Sequence, residues 1–149
     1  MKLFLDANVV FSAAYSVGGR CTRLFALALD AGASLQSSAY AIEEARRNLQ
    51  TRFSDRLPDF LALLPLLQIV PEPGPGVLRQ VLDLGLVAKD APVLAAAVQS
   101  RADMFVTGDR RHFGALFGRR IEGVLVLSTS QALDGLAPSM PPGHERAPP

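Results

Sequence analysis

Short apolar runs that end in acids are the feature that most restricts how this chain can fold. Leu3-Phe4-Leu5 leads into Asp6, and Met104-Phe105-Val106-Thr107 leads through Gly108 into Asp109. Runs this brief and uninterrupted suit strands buried on both faces, as in the middle of a parallel sheet. Parallel neighbours need crossover connections, and helical spacing recurs between the runs. Leu24, Phe25, Ala28 and Leu29 mark a helix from Thr22 to Ala31, stopped by Gly32. Ala41, Ile42, Ala45 and Leu49 mark another, capped by Ser37 or Ser38 and running to about Gln50. The expectation is an α/β chain, a three-layer α/β/α sandwich around a central, mostly parallel sheet. Ligands of such sheets gather at the carboxyl ends of the strands, beside the point where strand order reverses. Asp6 and Asp109 are therefore expected at one sheet edge.

Weaker signals fill in the rest. Ala33 to Gln36, Gln68 to Val70 and Val124 to Leu127 read as further strands; Leu57 to Leu64, Val77 to Leu84 and Ser128 to Leu136 read as helices, with a helical turn over His112 to Phe117. Ala91 to Ser100 is apolar nearly all round, so this helix is expected at the centre. Ser16 to Arg20 reads as a turn, and the Pro/Gly-rich Pro71 to Gly76 as an internal loop. A length of 149 residues fits one domain, expected over residues 1–137, with a Pro-rich disordered tail over 138–149. No apolar run approaches the ~18 residues of a membrane span, and the N-terminus has no signal-peptide pattern; the expected address is the cytoplasm.

Chemistry is narrowed by what is scarce. A single cysteine, Cys21, excludes a disulfide framework, and two histidines exclude the usual zinc sets. Fifteen basic residues nearly cancel fourteen acidic ones, so net charge announces no partner. Carboxylate oxygen remains. Asp6, Glu43-Glu44, Asp90 and Asp109 each stand beside a strand end or a helix. Each also has a plain structural reading. Asp6 and Asn8 fit a turn after a strand, Asp90 before Ala91-Pro92 fits an N-cap, Glu43 and Glu44 fit a solvated helix face, and Asp109 fits another turn.

Taken together, these acids would converge on one sheet edge, and convergence is costly. Two carboxylates 4 Å apart repel by roughly 4 kcal/mol at an effective dielectric near 20. A hard divalent cation, Mg²⁺ or Mn²⁺, removes that cost and prefers such oxygen ligands. It can also polarise a phosphate and acidify water, which makes metal-assisted hydrolysis of a phosphodiester the reaction class these residues favour. At about 100° per residue, Glu44 lies about 110° from the centre of its helix's apolar stripe and Glu43 about 150°. Glu44 is thus the better placed to reach the site, and Glu43 should face water.

Leu5-Asp6-Ala7-Asn8-Val9-Val10, Glu44-Ala45-Arg46-Arg47-Asn48-Leu49, Lys89-Asp90-Ala91-Pro92 continuing to Ala97, and Ala102-Asp103 continuing to Asp109 resemble, in order and spacing, the four acidic motifs of PIN-domain nucleases. The resemblance covers about residues 1–130. It implies a PIN-like fold and metal-dependent cleavage of single-stranded RNA, as in the toxin halves of bacterial toxin–antitoxin pairs. Carried over, Asp6, Glu44, Asp90 and Asp109 would be the catalytic and metal-site acids, with Asn8 and Thr107 the polar residues beside them. It further implies a small antitoxin whose arm covers the acidic groove, inserting an arginine among the carboxylates.

Arginine outnumbers lysine 13 to 2, and guanidinium forks suit phosphate. Arg46, Arg47, Arg52 and Arg56 lie near the second motif, but Arg110, directly after Asp109, is the arginine expected to touch RNA. No interleaved aromatics suggest a base-stacking platform. His112 reads as structural and Cys21 as packed. The very apolar Leu57 to Leu67 stretch is compatible with a homodimer face as well as with internal packing. Two other readings stand beside the nuclease. One is a haloacid-dehalogenase-like phosphatase, to which Asp6-Ala7-Asn8 bears a faint likeness but where Asn8 could not transfer the proton required. The other is a non-catalytic PIN-like domain that binds RNA or protein.

Overall fold

A computed structural model describes residues 1–137; the tail expected over 138–149 lies outside the described residues. Six strands of the described residues form one sheet: β1 (Lys2–Leu5), β2 (Ser34–Ser38), β3 (Leu67–Val70), β4 (Met104–Thr107), β5 (Arg120–Ile121) and β6 (Val124–Ser128). Their spatial order is β3-β2-β1-β4-β6-β5, parallel throughout except for the terminal β5–β6 hairpin. Among the described residues, eight α-helices connect and cover it: α1 (Ala7–Tyr15), α2 (Arg20–Asp30), α3 (Ala39–Arg52), α4 (Leu57–Leu63), α5 (Pro75–Leu82), α6 (Ala91–Gln99), α7 (Arg110–Phe113) and α8 (Thr129–Leu136). This is the α/β architecture expected from the alternating sequence.

β1 and β4 behave as their composition requires. Leu3, Phe4, Leu5, Phe105 and Val106 are fully buried, and the Phe4 and Phe105 rings stack at 5.8 Å between centroids. From β1 the chain builds outward through β2 and β3, then crosses back to lay β4 on β1's other side. Strand order therefore reverses between β1 and β4, and the backbone opens a crevice beyond their carboxyl ends. Asp6 N–H still bonds to the Val106 carbonyl at 3.0 Å, so the two strands are tied together up to the residue that enters the crevice.

The structure departs from the sequence reading in three places. Ala7–Tyr15, where the sequence reading places only a turn at Asp6 and Asn8, is a helix; its Val9, Val10, Ala13 and Ala14 are buried against the sheet and against α3. β5 is a two-residue strand closed by a tight hairpin in which Glu122 (φ 48°) and Gly123 (φ 86°) both adopt left-handed backbone. Helix α5 begins at Pro75, inside the expected loop, because Pro at N1 is preset for a helix and needs no donor. Of the apolar 57–67 stretch, Phe60 and Leu67 are buried while Leu61 and Leu66 are exposed. Helix α6 is central as expected, with Val93 through Ala97 all buried. No helix among the described residues is long and apolar enough to cross a membrane.

Candidate active site

The crevice is a cavity of about 680 Å³ whose lining includes Asp6, Asn8, Glu44, Asp90 and Asp109. Separate elements bring these side chains together. Asp6 ends β1 and caps α1, Glu44 projects from the second turn of α3, Asp90 immediately precedes α6, and Asp109 joins β4 to α7.

Asp6 is the anchor and is almost wholly buried. Its Oδ1 accepts from the Ala7 N–H at 2.7 Å; its Oδ2 accepts from the Thr107 hydroxyl at 2.8 Å and from Asn8 Nδ2 at 3.1 Å. Burial nonetheless dominates, with repulsion from Glu44 and Asp90 added, and raises its pKa to about 6 against the lowering effect of Thr107 and Ala7. Thr107, itself fully buried, uses its hydroxyl completely. It donates to Asp6 and accepts from Asn8 Nδ2 at 3.2 Å and from the Asp109 N–H at 3.1 Å. Asn8 closes the ring by accepting the Gly108 N–H on Oδ1 at 2.7 Å. A side chain at Gly108 would place its Cβ 3.2 Å from that oxygen, so the glycine allows the approach.

On the other side of the cavity, Asp90 does not cap α6 with its side chain, contrary to the cap reading. It occupies the N-cap position with no side-chain cap bond, and its Oδ2 lies 2.9 Å from His112 Nδ1. The Asp109 Oδ2 lies at the same distance from that nitrogen, while its Oδ1 caps α7 by accepting the His112 N–H at 3.0 Å. One imidazole nitrogen has one direction in which to bond. Asp90 Oδ2 and His112 Nδ1 are in fact buried without an aligned partner among the described residues. Asp90's pKa is raised, first by burial and then by Asp109, against the opposing pull of His112 and Lys89. The sequence reads His112 as structural; the fold makes it part of this cluster. The signal that could have found it is its i,i+3 spacing from Asp109 on one helical turn.

The donor set fits a divalent cation. Asp90, Asp109 and His112 each offer one atom, all within 4.8 Å of one another. Asp90 Oδ2 and His112 Nδ1 are buried and unsatisfied, and both Asp6 and Asp90 have raised pKa values that a bound cation would reverse. Glu44 is half-buried and lines the cavity, whereas Glu43 is exposed and accepts from Arg46 Nε at 2.9 Å. Arg110, the arginine expected to touch RNA, is exposed and is not among the cavity's lining residues; Arg20, Arg52 and Lys89 are. Cys21 also lines the cavity, partly buried, with its thiol pKa raised by burial.

A family model described as the PIN domain matches residues 2–111, which include every acid of this cavity. The chain belongs to the PIN-domain family. No curated protein matches it in sequence. Solved structures share the PIN fold at low identity. The crystal structure of PAE2754 from Pyrobaculum aerophilum is 18% identical, with a TM-score of 0.65 over 92% of this chain and 98% of that one. VapBC2 from Rickettsia felis, bound to a DNA fragment from their promoter, is 14% identical, with a TM-score of 0.67 over 86% and 98%. FitAcB from Neisseria gonorrhoeae is 21% identical, with a TM-score of 0.57 over 86% and 98%. Membership in the PIN family replaces the dehalogenase-like alternative, and Asn8 is already engaged at both ends of its amide.

Proposed function

We propose that this PIN domain, carried by residues 1–137, is a divalent-metal-dependent endoribonuclease that hydrolyses phosphodiester bonds of single-stranded RNA in the cytoplasm, and that it is the toxin half of a toxin–antitoxin pair. The observation that carries the reading is the shared cavity: four acids from four separate stretches of chain line it together, two of them with raised pKa values. Asp6, Glu44, Asp90 and Asp109 would hold Mg²⁺ or Mn²⁺, with His112 a further donor whose nitrogen suits Mn²⁺. When bound, such an ion supplies Lewis acidity toward a phosphodiester oxygen and acidifies water.

The chain's own residues then have distinct tasks. Asp6, fixed by three donors, holds a negative charge at a set position; Asn8 and Thr107 prevent it from turning away. Asp90 and Asp109 each bring an oxygen within 2.9 Å of His112 Nδ1, so the three side chains present their donor atoms together. The resemblance to toxin halves, and the fold shared with VapBC2 and FitAcB, support a small protein partner over this acidic opening. The exposed Leu61 and Leu66 supply apolar surface for a homodimer.

The test is cleavage of single-stranded RNA with and without Mg²⁺ or Mn²⁺. Wild type should cut only with the ion, and Asp6→Asn and Asp90→Asn should each lose roughly a hundredfold or more. Undiminished cleavage in chelator, or by both variants, overturns the proposal. RNA binding without cleavage at any ion concentration favours the non-catalytic alternative.

A further inference from the structure

The cavity also contains an arginine for which the acids have no use. Glu44, Asn48 and Arg52 all line it and recur every fourth residue of α3, so Arg52 lies about 12 Å along the helix from Glu44. Its guanidinium carbon lies 5.9 Å from the centre of the Phe11 ring and 5.5 Å from that of Phe53, within the ~6 Å reach of cation–π attraction. Tyr15 packs on Phe53 at 4.3 Å and on Phe11 at 6.0 Å, and 43% of it stays exposed. No aromatic platform is visible in the sequence; packing α1 on α3 assembles one.

Arg46 and Arg56 are paired with Glu43 and Asp59, and Arg20, also in the cavity, donates to the Ser130 hydroxyl at 2.9 Å. Arg52 has no carboxylate partner among the described residues. Two rings fix its direction, so its fork of N–H donors is both free and already ordered, and less rotamer freedom remains to be lost on binding an anion. A carboxylate pocket alone repels a polyanion. A cation beside an exposed ring matches the alternation of phosphate and base along a nucleic-acid strand.

We propose that Arg52 binds a backbone phosphate of single-stranded RNA away from the carboxylates, while the exposed Tyr15 ring stacks a neighbouring base. The 12 Å offset corresponds to three or four nucleotides at about 3.4 Å per stacked step. This inference rests on the ribonuclease reading and extends it to the substrate strand outside the scissile bond.

The experiment is a fluorescence-anisotropy titration of the full chain with labelled 12-nucleotide single-stranded RNA in EDTA, over a series of salt concentrations. Arg52→Gln should weaken binding roughly tenfold and flatten the log Kd against log salt slope by about 0.7, the value for one phosphate contact on a single strand. Arg52→Lys should keep the slope while losing part of the affinity. Tyr15→Ala should weaken binding without changing the slope, and Tyr15→Phe should restore it. Circular dichroism controls for folding, since Arg52 is on the surface. If wild type binds and Arg52→Gln matches it in affinity and slope, the phosphate site is overturned and the aromatic face is left to a protein partner. Cleavage with Mg²⁺ is scored separately. Wild type that binds with the Arg52 signature but never cuts refutes only the ribonuclease reading; wild type that does not bind RNA in EDTA yet cuts it with Mg²⁺ refutes only the Arg52 site, and wild type that does neither refutes both.

Discussion

Replacing Asp6 with Asn should make the metal-free protein less sensitive to rising pH, even while it removes one of the proposed metal ligands. Asp6 titrates near 6 in the folded chain against an ordinary 3.8. At about 1.4 kcal/mol per pH unit, the full difference is about 3 kcal/mol. Its sign depends on which state holds the proton. Below pH 4 both folded and unfolded Asp6 are protonated and nothing is lost. Between 4 and 6 the unfolded carboxyl ionises first, so unfolding is increasingly favoured, and above 6 the whole penalty is present. About 2 kcal/mol of it develops between pH 4.5 and 7.5, worth roughly 4–8 °C in Tm for a chain of this size. An amide at position 6 has no such slope. It does disturb the bonds from Asn8 and Thr107, but that loss does not vary with pH. Thermal melts of both proteins in EDTA should therefore converge or cross as pH rises. Saturating Mg²⁺ at a hundred times its Kd should then raise wild type by about 2.7 kcal/mol and leave Asp6→Asn nearly unmoved. Parallel pH curves for the two proteins, or equal stabilisation of both by Mg²⁺, would refute the account of Asp6 as a buried, ion-seeking carboxylate.

His112→Ala should lower Mn²⁺ affinity by about tenfold or more and lower Mg²⁺ affinity less, measured by isothermal titration calorimetry; equal losses for both ions would contradict nitrogen ligation. Thr107→Val removes the hydroxyl that serves Asp6, Asn8 and Asp109 together and should cost about 1–3 kcal/mol in urea unfolding, with Thr107→Ser recovering most of it. Glu44→Gln should lower the Asp6 pKa by removing a like charge, seen by NMR titration of the Asp6 carboxyl carbon, and should depress RNA cleavage. Glu43→Gln, on the solvent side, should leave both unchanged.

The parts of the site that can be read in the sequence are those set by strand ends. Asp6 comes directly after β1 and Asp109 follows β4 with only Gly108 between, and two adjacent parallel strands deliver the residues that follow them to the same edge. Glu44 is legible because helical phase separates it from Glu43. Asp90 can be located but not its direction: capping a helix and facing a cavity differ by one side-chain torsion, which no sequence pattern records. Helix α1 escapes because Ala7–Tyr15 is apolar on nearly every side, with β-branched Val9-Val10 near its start, so neither period stands out. The same ambiguity conceals the aromatic cluster. Phe11 and Tyr15 are an i,i+4 pair only once the helix is known, and Phe53 reaches them only when α3 packs alongside. β5 is invisible because two residues carry no periodicity.

Helix α1 is nine residues long and serves two masters. Its first turn is clamped by Asp6 and Asn8 into the network that includes Thr107 and Gly108, where hardly an atom can move without breaking a bond. Further along, Phe11 lines the cavity and Tyr15 packs beside it with 43% of its surface exposed. Variation can accumulate at the outer end without reaching the inner one. Substitutions at two or three positions there would change what the outer end of the helix touches, while the bonds around Asp6 stay as they are.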